Sequence, residues 1–374
     1  MKKHLVLAGG GHAHLTVIMN LKEYIDSGHR VSLISPSSYL YYSGMGPGML
    51  SGLYEPAETR FHIRKMAEDR GAVFLEDTVA GIVPAERTLV LKSGGRLHYD
   101  VVSFNIGSEI RKDDIVLNGG NIVSVKPVEN LLQARRFILE FWKDRDIHIL
   151  VIGGGPAGLE ISGNVWKLLR DTKSGGKITL ICGGMILEGF PGKARTKALE
   201  SLRERGITVI ENVYLQSLGE GRAFLSSGAT CVFDIAFLAT GVKPPDLFRE
   251  SALDTGSDGG LLVNEYLQSV SRAEIFGGGD CISFRDNPLP KVGVHAVRES
   301  SILHHNLQVM LGGGNLMRYQ PRRHYMLIFN LGNGRGLLWR RSLVSEGRAA
   351  LWLKNFIDRK FMRKYQVSGE PDER

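Results

Sequence analysis

Two clusters of small residues suit one kind of chemistry, the cradling of a dinucleotide's phosphates. The first is Gly9-Gly10-Gly11-His12-Ala13-His14 and the second is Gly153-Gly154-Gly155-Pro156-Ala157-Gly158. A helix N-terminus offers unpaired amides and the positive end of its dipole, while glycines let the backbone turn sharply and approach a pyrophosphate. To act this way each cluster needs a buried strand before it and a helix after it. The apolar run at 4–8 supplies the first strand, with a helix through about residue 21 and a following strand at 30–35. Residues 147–152 supply the second strand, followed by a helix through about residue 169 and a strand at 177–182. Gly9 and Gly11 fit the fingerprint, but His14 holds its third glycine position, and Ser35 stands where an acid usually meets ribose hydroxyls. Gly153, Gly155 and Gly158 complete the second copy. Cys182 and Gly183 replace its acid, which leaves the choice between NADH and NADPH open.

Three further segments belong to the same plan. An apolar strand ends in Ala239-Thr240-Gly241, and residues 102–108, ending in Asn105-Ile106-Gly107-Ser108, look like its counterpart after the first unit; both read as crossings between domains. A short strand closes on Gly277-Gly278-Gly279-Asp280, where a carboxylate can accept a hydrogen bond from a flavin ribityl hydroxyl.

The 374 residues, 43% of them hydrophobic, are enough for two or three domains. A formal charge of +8 favours anionic partners, and the chain shows no zinc-finger spacing or basic run interleaved with aromatics, so no nucleic-acid partner and no metal are expected. The run after Met1-Lys2-Lys3 reaches glycine after four apolar residues and reads as a strand, not a secretion signal. No stretch approaches the ~20 apolar residues of a spanning helix. Cys182, Cys231 and Cys281 lie far apart and read as small buried hydrophobes of a protein in a reducing cytoplasm.

The order GGGxxH, NIGS, GGGPAGLE, ATG and GGGDC resembles the two-dinucleotide-binding-domain flavoproteins of the pyridine nucleotide-disulfide oxidoreductase superfamily. No CxxxxC follows the first glycine unit, so the chain looks more like the type II NADH dehydrogenase and sulfide:quinone oxidoreductase branch than the disulfide reductases. Residues 9–15, 42–48, 125–127 and 291–298 are also similar to the flavoprotein module fused to selenophosphate synthetase, whose members likewise lack the usual residues at positions 14 and 35.

This resemblance implies an α/β fold of two Rossmann-like domains. The FAD domain is discontinuous (1–110 and 246–312), an NAD(P) domain is inserted (111–245), and a C-terminal α+β segment follows (313–374). FAD and NAD(P)H are the implied cofactors. The flavin side takes Gly9, Gly11, His12, His14, Ser35, Val79, Gly107, Asp280 and the helix start at Val294, His295 and Ala296. The nicotinamide side takes Gly153, Gly155, Gly158 and Gly241. Glu160 resembles the glutamate that faces the nicotinamide in type II NADH dehydrogenases. Lys126 is the second catalytic candidate, with Tyr42, Ser43 and His295 as further proton donors.

The implied activity is NAD(P)H:acceptor oxidation with a quinone-like acceptor, although residues 293–298 lack both glutamines of the type II quinone stretch. The alternatives are a soluble reductase of a redox protein, a sulfide:quinone oxidoreductase-like enzyme and a redox-responsive flavoprotein. Residues 325–330 and 336–340 read as a hairpin within a small sheet covering the flavin. Residues 349–366 read as a basic amphipathic helix with Leu353, Phe356, Ile357, Phe361 and Tyr365 on its apolar side and Lys354 among the solvated cations. Such a helix suits either a membrane surface or a homodimer partner, giving a cytoplasmic protein with peripheral attachment to the inner face of the cell membrane as one outcome. Residues 368–374 read as a disordered tail.

Overall fold

The computed structural model describes residues 2–112, 115–142, 145–285, 288–322 and 324–370. Runs such as Leu5-Val6-Leu7-Ala8 and Ile149-Leu150-Val151-Ile152 have no polar alternation, so both faces of these strands need cover, the situation of a parallel sheet between helices. Two such sheets form. The first is built on His4–Ala8 (β1), Arg30–Ser35 (β2), Val73–Glu76 (β3) and Val101–Phe104 (β4). The second is built on Ile122–Ser124 (β5), Ile147–Ile152 (β6), Gly176–Ile181 (β7), Thr208–Ile210 (β8) and Ile235–Leu238 (β9). A last strand of the first sheet, Ile275–Gly277 (β10), arrives after the chain has returned.

The orders are β10-β4-β1-β2-β3 and β5-β9-β6-β7-β8, all parallel. In each sheet the strand leading into the glycine turn lies at the centre, between the next strand and the one before the crossing. The two crossings hold each other, since Glu109–Ile110 pairs antiparallel with Val242–Lys243. Each sheet has its own core. Leu5, Leu7, Phe104, Phe248 and Phe276 belong to the first, and Ile149, Val151, Leu180 and Phe237 to the second.

The helices that matter for the site are Leu15–Met19 (α1), Pro156–Asp171 (α2), Gly192–Arg203 (α3), Gly293–Gly312 (α4) and Arg348–Tyr365 (α5). The C-terminal hairpin forms from Leu327–Asn330 and Gly336–Arg340, with Leu343–Gly347 as a third antiparallel strand. Its buried residues Phe329, Leu331, Leu337 and Val344 join the second core, so this sheet packs on the second unit. It is α5 that reaches the first glycine turn, with Phe361 6.1 Å from His12 between ring centroids.

Helix α5 differs from the expected amphipathic pattern. It docks through Ala350, Leu351, Lys354, Asp358, Met362 and Tyr365 and leaves Trp352, Phe356 and Ile357 exposed. Burying Lys354 is tolerated because its ammonium pairs with Asp358 at 2.9 Å and donates to the Gly44 carbonyl at 2.7 Å. The tail is docked as far as residue 370. The His62 amide donates to Glu370 at 2.9 Å, Lys65 donates to the Ser368 carbonyl at 3.0 Å, and Glu370 is fully buried. The rest of the segment read as disordered, 371–374, lies outside the described residues.

Candidate functional site

The first glycine turn is braced by Asn105, at the end of β4. Its side chain accepts from the Ala13 amide at 2.9 Å and donates to the Gly278 carbonyl at 2.6 Å, tying the turn to the Gly-Asp loop. Gly9 has φ +91° and Gly11 has φ −64°; a Cβ on either would run into Asn105. His12 packs against both Tyr42 (5.4 Å between ring centroids) and Phe361, which also touch each other. Burial lowers its pKa to about 4, against the pull of Asp280. Its Nε2 is buried without a partner among the described residues.

His14 lies behind the turn instead of facing a phosphate. It is fully buried, with Nδ1 2.6 Å from the Gly9 carbonyl and Nε2 2.8 Å from Ser103 Oγ. Ser35 and Val79 are buried too.

At the Gly-Asp loop, Asp280 accepts from Lys126 Nζ at 2.7 Å and from Ser108 Oγ at 2.8 Å, and Lys126 also donates to Ser108 at 2.7 Å. Burial would raise the Asp280 pKa, but the Lys126 charge and these bonds hold it below the ordinary carboxylate range. Lys126 is therefore held as the counter-ion of Asp280. Gly107, beside Ser108, has φ +75°. Helix α4 begins at Gly293, so Val294, His295 and Ala296 form its first turn. His295 Nδ1 is 3.2 Å from the Tyr319 hydroxyl, while its Nε2 is buried without a partner among the described residues. Glu299, one turn on and 1% exposed, accepts from the Gly279 amide at 2.6 Å, and burial raises its pKa to about 7.

The second turn is tighter. Gly153 has φ +123°, and a Cβ on it would meet the Ala239 carbonyl of the strand before the second crossing; a Cβ on Gly158 would meet the Gly153 carbonyl. Gly155 caps α2 and has nothing within 4 Å of an added Cβ, so its backbone is open to close approach. Gly241, φ +93°, turns the crossing nearby.

Beside the second turn, a part-buried carboxyl meets a buried ion pair. Glu160, on the second turn of α2, accepts from the Asn330 amide at 2.7 Å. Burial raises its pKa to about 7, while Lys354 pulls it down. Burial would lower the Lys354 pKa, but Asp358 and Glu160 keep it above the usual range. Asp358 also accepts from the Tyr42 hydroxyl at 3.2 Å. The fold thus brings Glu160, the Lys354–Asp358 pair and Tyr42 together from three distant stretches of chain, and places Lys126, Asp280 and His12 in a neighbouring group coupled by charge.

These features fit the two implied cofactors. Glycine cradles stand at both turns, and the buried nitrogens of His12 and His295 that have no partner among the described residues flank the Asp280 loop, where polar atoms of a flavin can meet them. Sequence reasoning missed Asn105, Glu299, Lys354 and Asp358. The i,i+4 spacing of Lys354 and Asp358 and the single amide ending an apolar strand at Asn105 were the available signals, and Glu299 carried none.

The comparisons with known proteins agree with this geometry. Residues 3–300 match the family model described as pyridine nucleotide-disulphide oxidoreductase. The chain is 26% identical over 359 residues to oxidoreductase ptaL of Pestalotiopsis fici, covering 89% of this chain and 90% of that one. It is 24% identical over 346 residues to the external alternative NADH-ubiquinone oxidoreductase of Yarrowia lipolytica mitochondria, covering 81% of this chain and 58% of that one. Its fold matches the structure of NDH2 from Plasmodium falciparum in complex with NADH at a TM-score of 0.81 and 14% identity, covering 99% and 98% of the two chains. The chain therefore belongs to the pyridine nucleotide-disulphide oxidoreductase family and is an oxidoreductase that uses FAD and NAD(P)H.

Proposed function

We propose that this protein oxidises NAD(P)H and passes the electrons through FAD to a quinone-like acceptor, in the manner of a type II NADH dehydrogenase. The observation that carries this reading is the Glu160–Lys354–Asp358–Tyr42 set at the junction of α2, α5 and the first unit. When bound, FAD supplies the two-electron chemistry, taking a hydride and releasing electrons to the acceptor. The protein's part is to hold the reactants and manage protons. The amides at Gly9–Gly11 and Gly153–Gly155 bind phosphates. The Lys126–Asp280–Ser108 group fixes the ribityl side, the first turn of α4 favours negative charge at the ring edge, and Glu160 faces the nicotinamide. Glu160, with a pKa of about 7, can hold or give up a proton at neutral pH; Lys354 and Asp358 keep a charged partner beside it.

Helix α5 supports attachment at a membrane surface. Its outer face shows Trp352 and Phe356, ring-stacked at 5.8 Å, with Ile357 and the exposed cations Arg359, Lys360 and Arg363. No helix among the described residues is long and apolar enough to cross a membrane. The test is anaerobic reduction of the flavin-loaded protein by NADH and NADPH, followed by reoxidation against short-chain quinones and small redox proteins. Rapid bleaching and recovery with a quinone are expected. Bleaching with recovery only by a redox protein would overturn the quinone assignment, and no bleaching would overturn the dehydrogenase reading.

A further inference from the structure

The end of β7 is where a unit of this kind meets the adenosine ribose of its dinucleotide. Cys182, the residue just after this strand, is fully buried and turned inward, since a Cβ on Gly154 would lie 2.8 Å from its Sγ. Gly183 and Gly184 follow and carry no side chain, so recognition of the ribose falls to their neighbours.

The loop after them folds back over the glycine turn. The Leu187 amide donates to the Gly154 carbonyl at 2.7 Å, the Ile186 amide to Glu211 at 2.8 Å, and the Asn212 amide to the Gly184 carbonyl at 3.0 Å. This return lays the Glu188 carboxylate against Gly184, where a Cβ on that glycine would run into it. Glu188 is exposed, and no ion pair engages it among the described residues. Arg195, a nearby cation, is neutralised by both Glu211 oxygens at 3.0 Å. On the other side, Tyr214 is 66% exposed and its ring lies beside Gly183, 2.7 Å from where a Cβ would stand.

We propose that Glu188 takes over the ribose recognition that the end of β7 lacks, making the second unit selective for a nucleotide with a free 2′-hydroxyl over one with a 2′-phosphate, and that Tyr214 offers its ring to the adenine. This rests on the reading that the second unit binds the nicotinamide nucleotide. A carboxylate accepts hydrogen bonds from a ribose diol and repels a 2′-phosphate, while an aromatic face stacks on adenine whichever group the ribose carries.

The test is calorimetric titration of the flavin-loaded protein with ADP-ribose and with 2′-phospho-ADP-ribose, which reads binding without turnover. The natural protein should bind ADP-ribose at least about tenfold more tightly, as expected of charge-assisted hydrogen bonds. Glu188→Gln should collapse that ratio towards one, whereas Tyr214→Ala should weaken both ligands by a similar factor. An unchanged ratio in Glu188→Gln, with ADP-ribose still bound, would overturn the inference and leave the dehydrogenase reading standing. If neither ligand binds and neither NADH nor NADPH bleaches the flavin, both fall.

Discussion

The two glycine turns occupy the same place in sheets that share the order of their central strands and differ only in where the outer strand beside the crossing comes in the chain, yet the turns are backed differently. In both, the first glycine has a positive φ and a crossing carbonyl where a Cβ would go: Asn105 behind Gly9 and Ala239 behind Gly153. At the third position they diverge. Gly158 lets α2 press against the Gly153 carbonyl, and α2 runs unbroken for 16 residues. His14 instead wedges its ring between Gly9 and Ser103, and α1 lasts five residues. The comparison teaches that the strand-crossing glycine and the ligand-facing glycine are fixed by geometry, whereas the third position is a packing site that an imidazole with both nitrogens bonded can also fill.

The most disruptive way to test this is to add one methyl to either first glycine. Gly9→Ala and Gly153→Ala each force a left-handed backbone and a backbone collision, costing roughly 3–5 kcal/mol. Their functional losses should be separate. Gly9→Ala should lose flavin absorbance on purification, while Gly153→Ala should keep it and no longer bleach with NADH. Loss of flavin from both variants alike would break the assignment of one cofactor to each turn. His14→Gly makes the first turn match the second in sequence but leaves a cavity and an unpaired Ser103 hydroxyl. It should destabilise the first unit by roughly 3 kcal/mol in denaturant unfolding. An unchanged midpoint would show that the ring is not the wedge described.

The same pairing recurs in two carboxyls, the buried Glu299 in the first unit and the part-buried Glu160 in the second, each accepting one backbone amide and each raised to about 7. Because the folded pKa of Glu299 lies above the ordinary 4.5, the folded state holds more protons between pH 4.5 and 7. The penalty for ionising it is absent below that window and complete above it, reaching up to roughly 3 kcal/mol. Glu299→Gln keeps an acceptor for Gly279 and removes the charge. Its stability relative to the natural protein should therefore rise between pH 5 and pH 8 in denaturant titrations, and an equal difference at both pH values would contradict it.

Much of this frame was legible in the sequence, because continuous apolar runs followed by glycines admit few structures. The two turns, the crossings at 102–108 and 237–241 and the Gly-Asp loop could all be read in advance. Residues whose role depends on a distant partner could not. Lys354 and Asp358 looked like solvated helix charges because nothing local shows that Gly44 and Tyr42 close over them. His14 looked like a ligand contact because its partner, Ser103, is 89 residues away. The tail looked disordered because Glu370 finds the His62 amide only in the folded chain.

The smallest expected effect is the one that best separates the two carboxyls. Glu160→Gln preserves the bond from the Asn330 amide, so its cost in stability should stay within the range of an ordinary isosteric change, under about 1 kcal/mol. Its consequence should be kinetic. A nicotinamide ring gains positive charge as it gives up hydride, and an ionised carboxylate facing it stabilises that change, partly offset here by the Lys354 charge. Flavin reduction by NADH in the natural protein should therefore rise with pH through about 7, following Glu160 ionisation. In Glu160→Gln the rate should stay on the acid limb, about fivefold lower at pH 8, a difference of roughly 1 kcal/mol. Stopped-flow reduction across pH 6–8 measures this directly. Glu299→Gln should leave that kinetic profile in place while altering the stability profile, so a shared kinetic loss would mean that both carboxyls act through the fold and not through the nicotinamide.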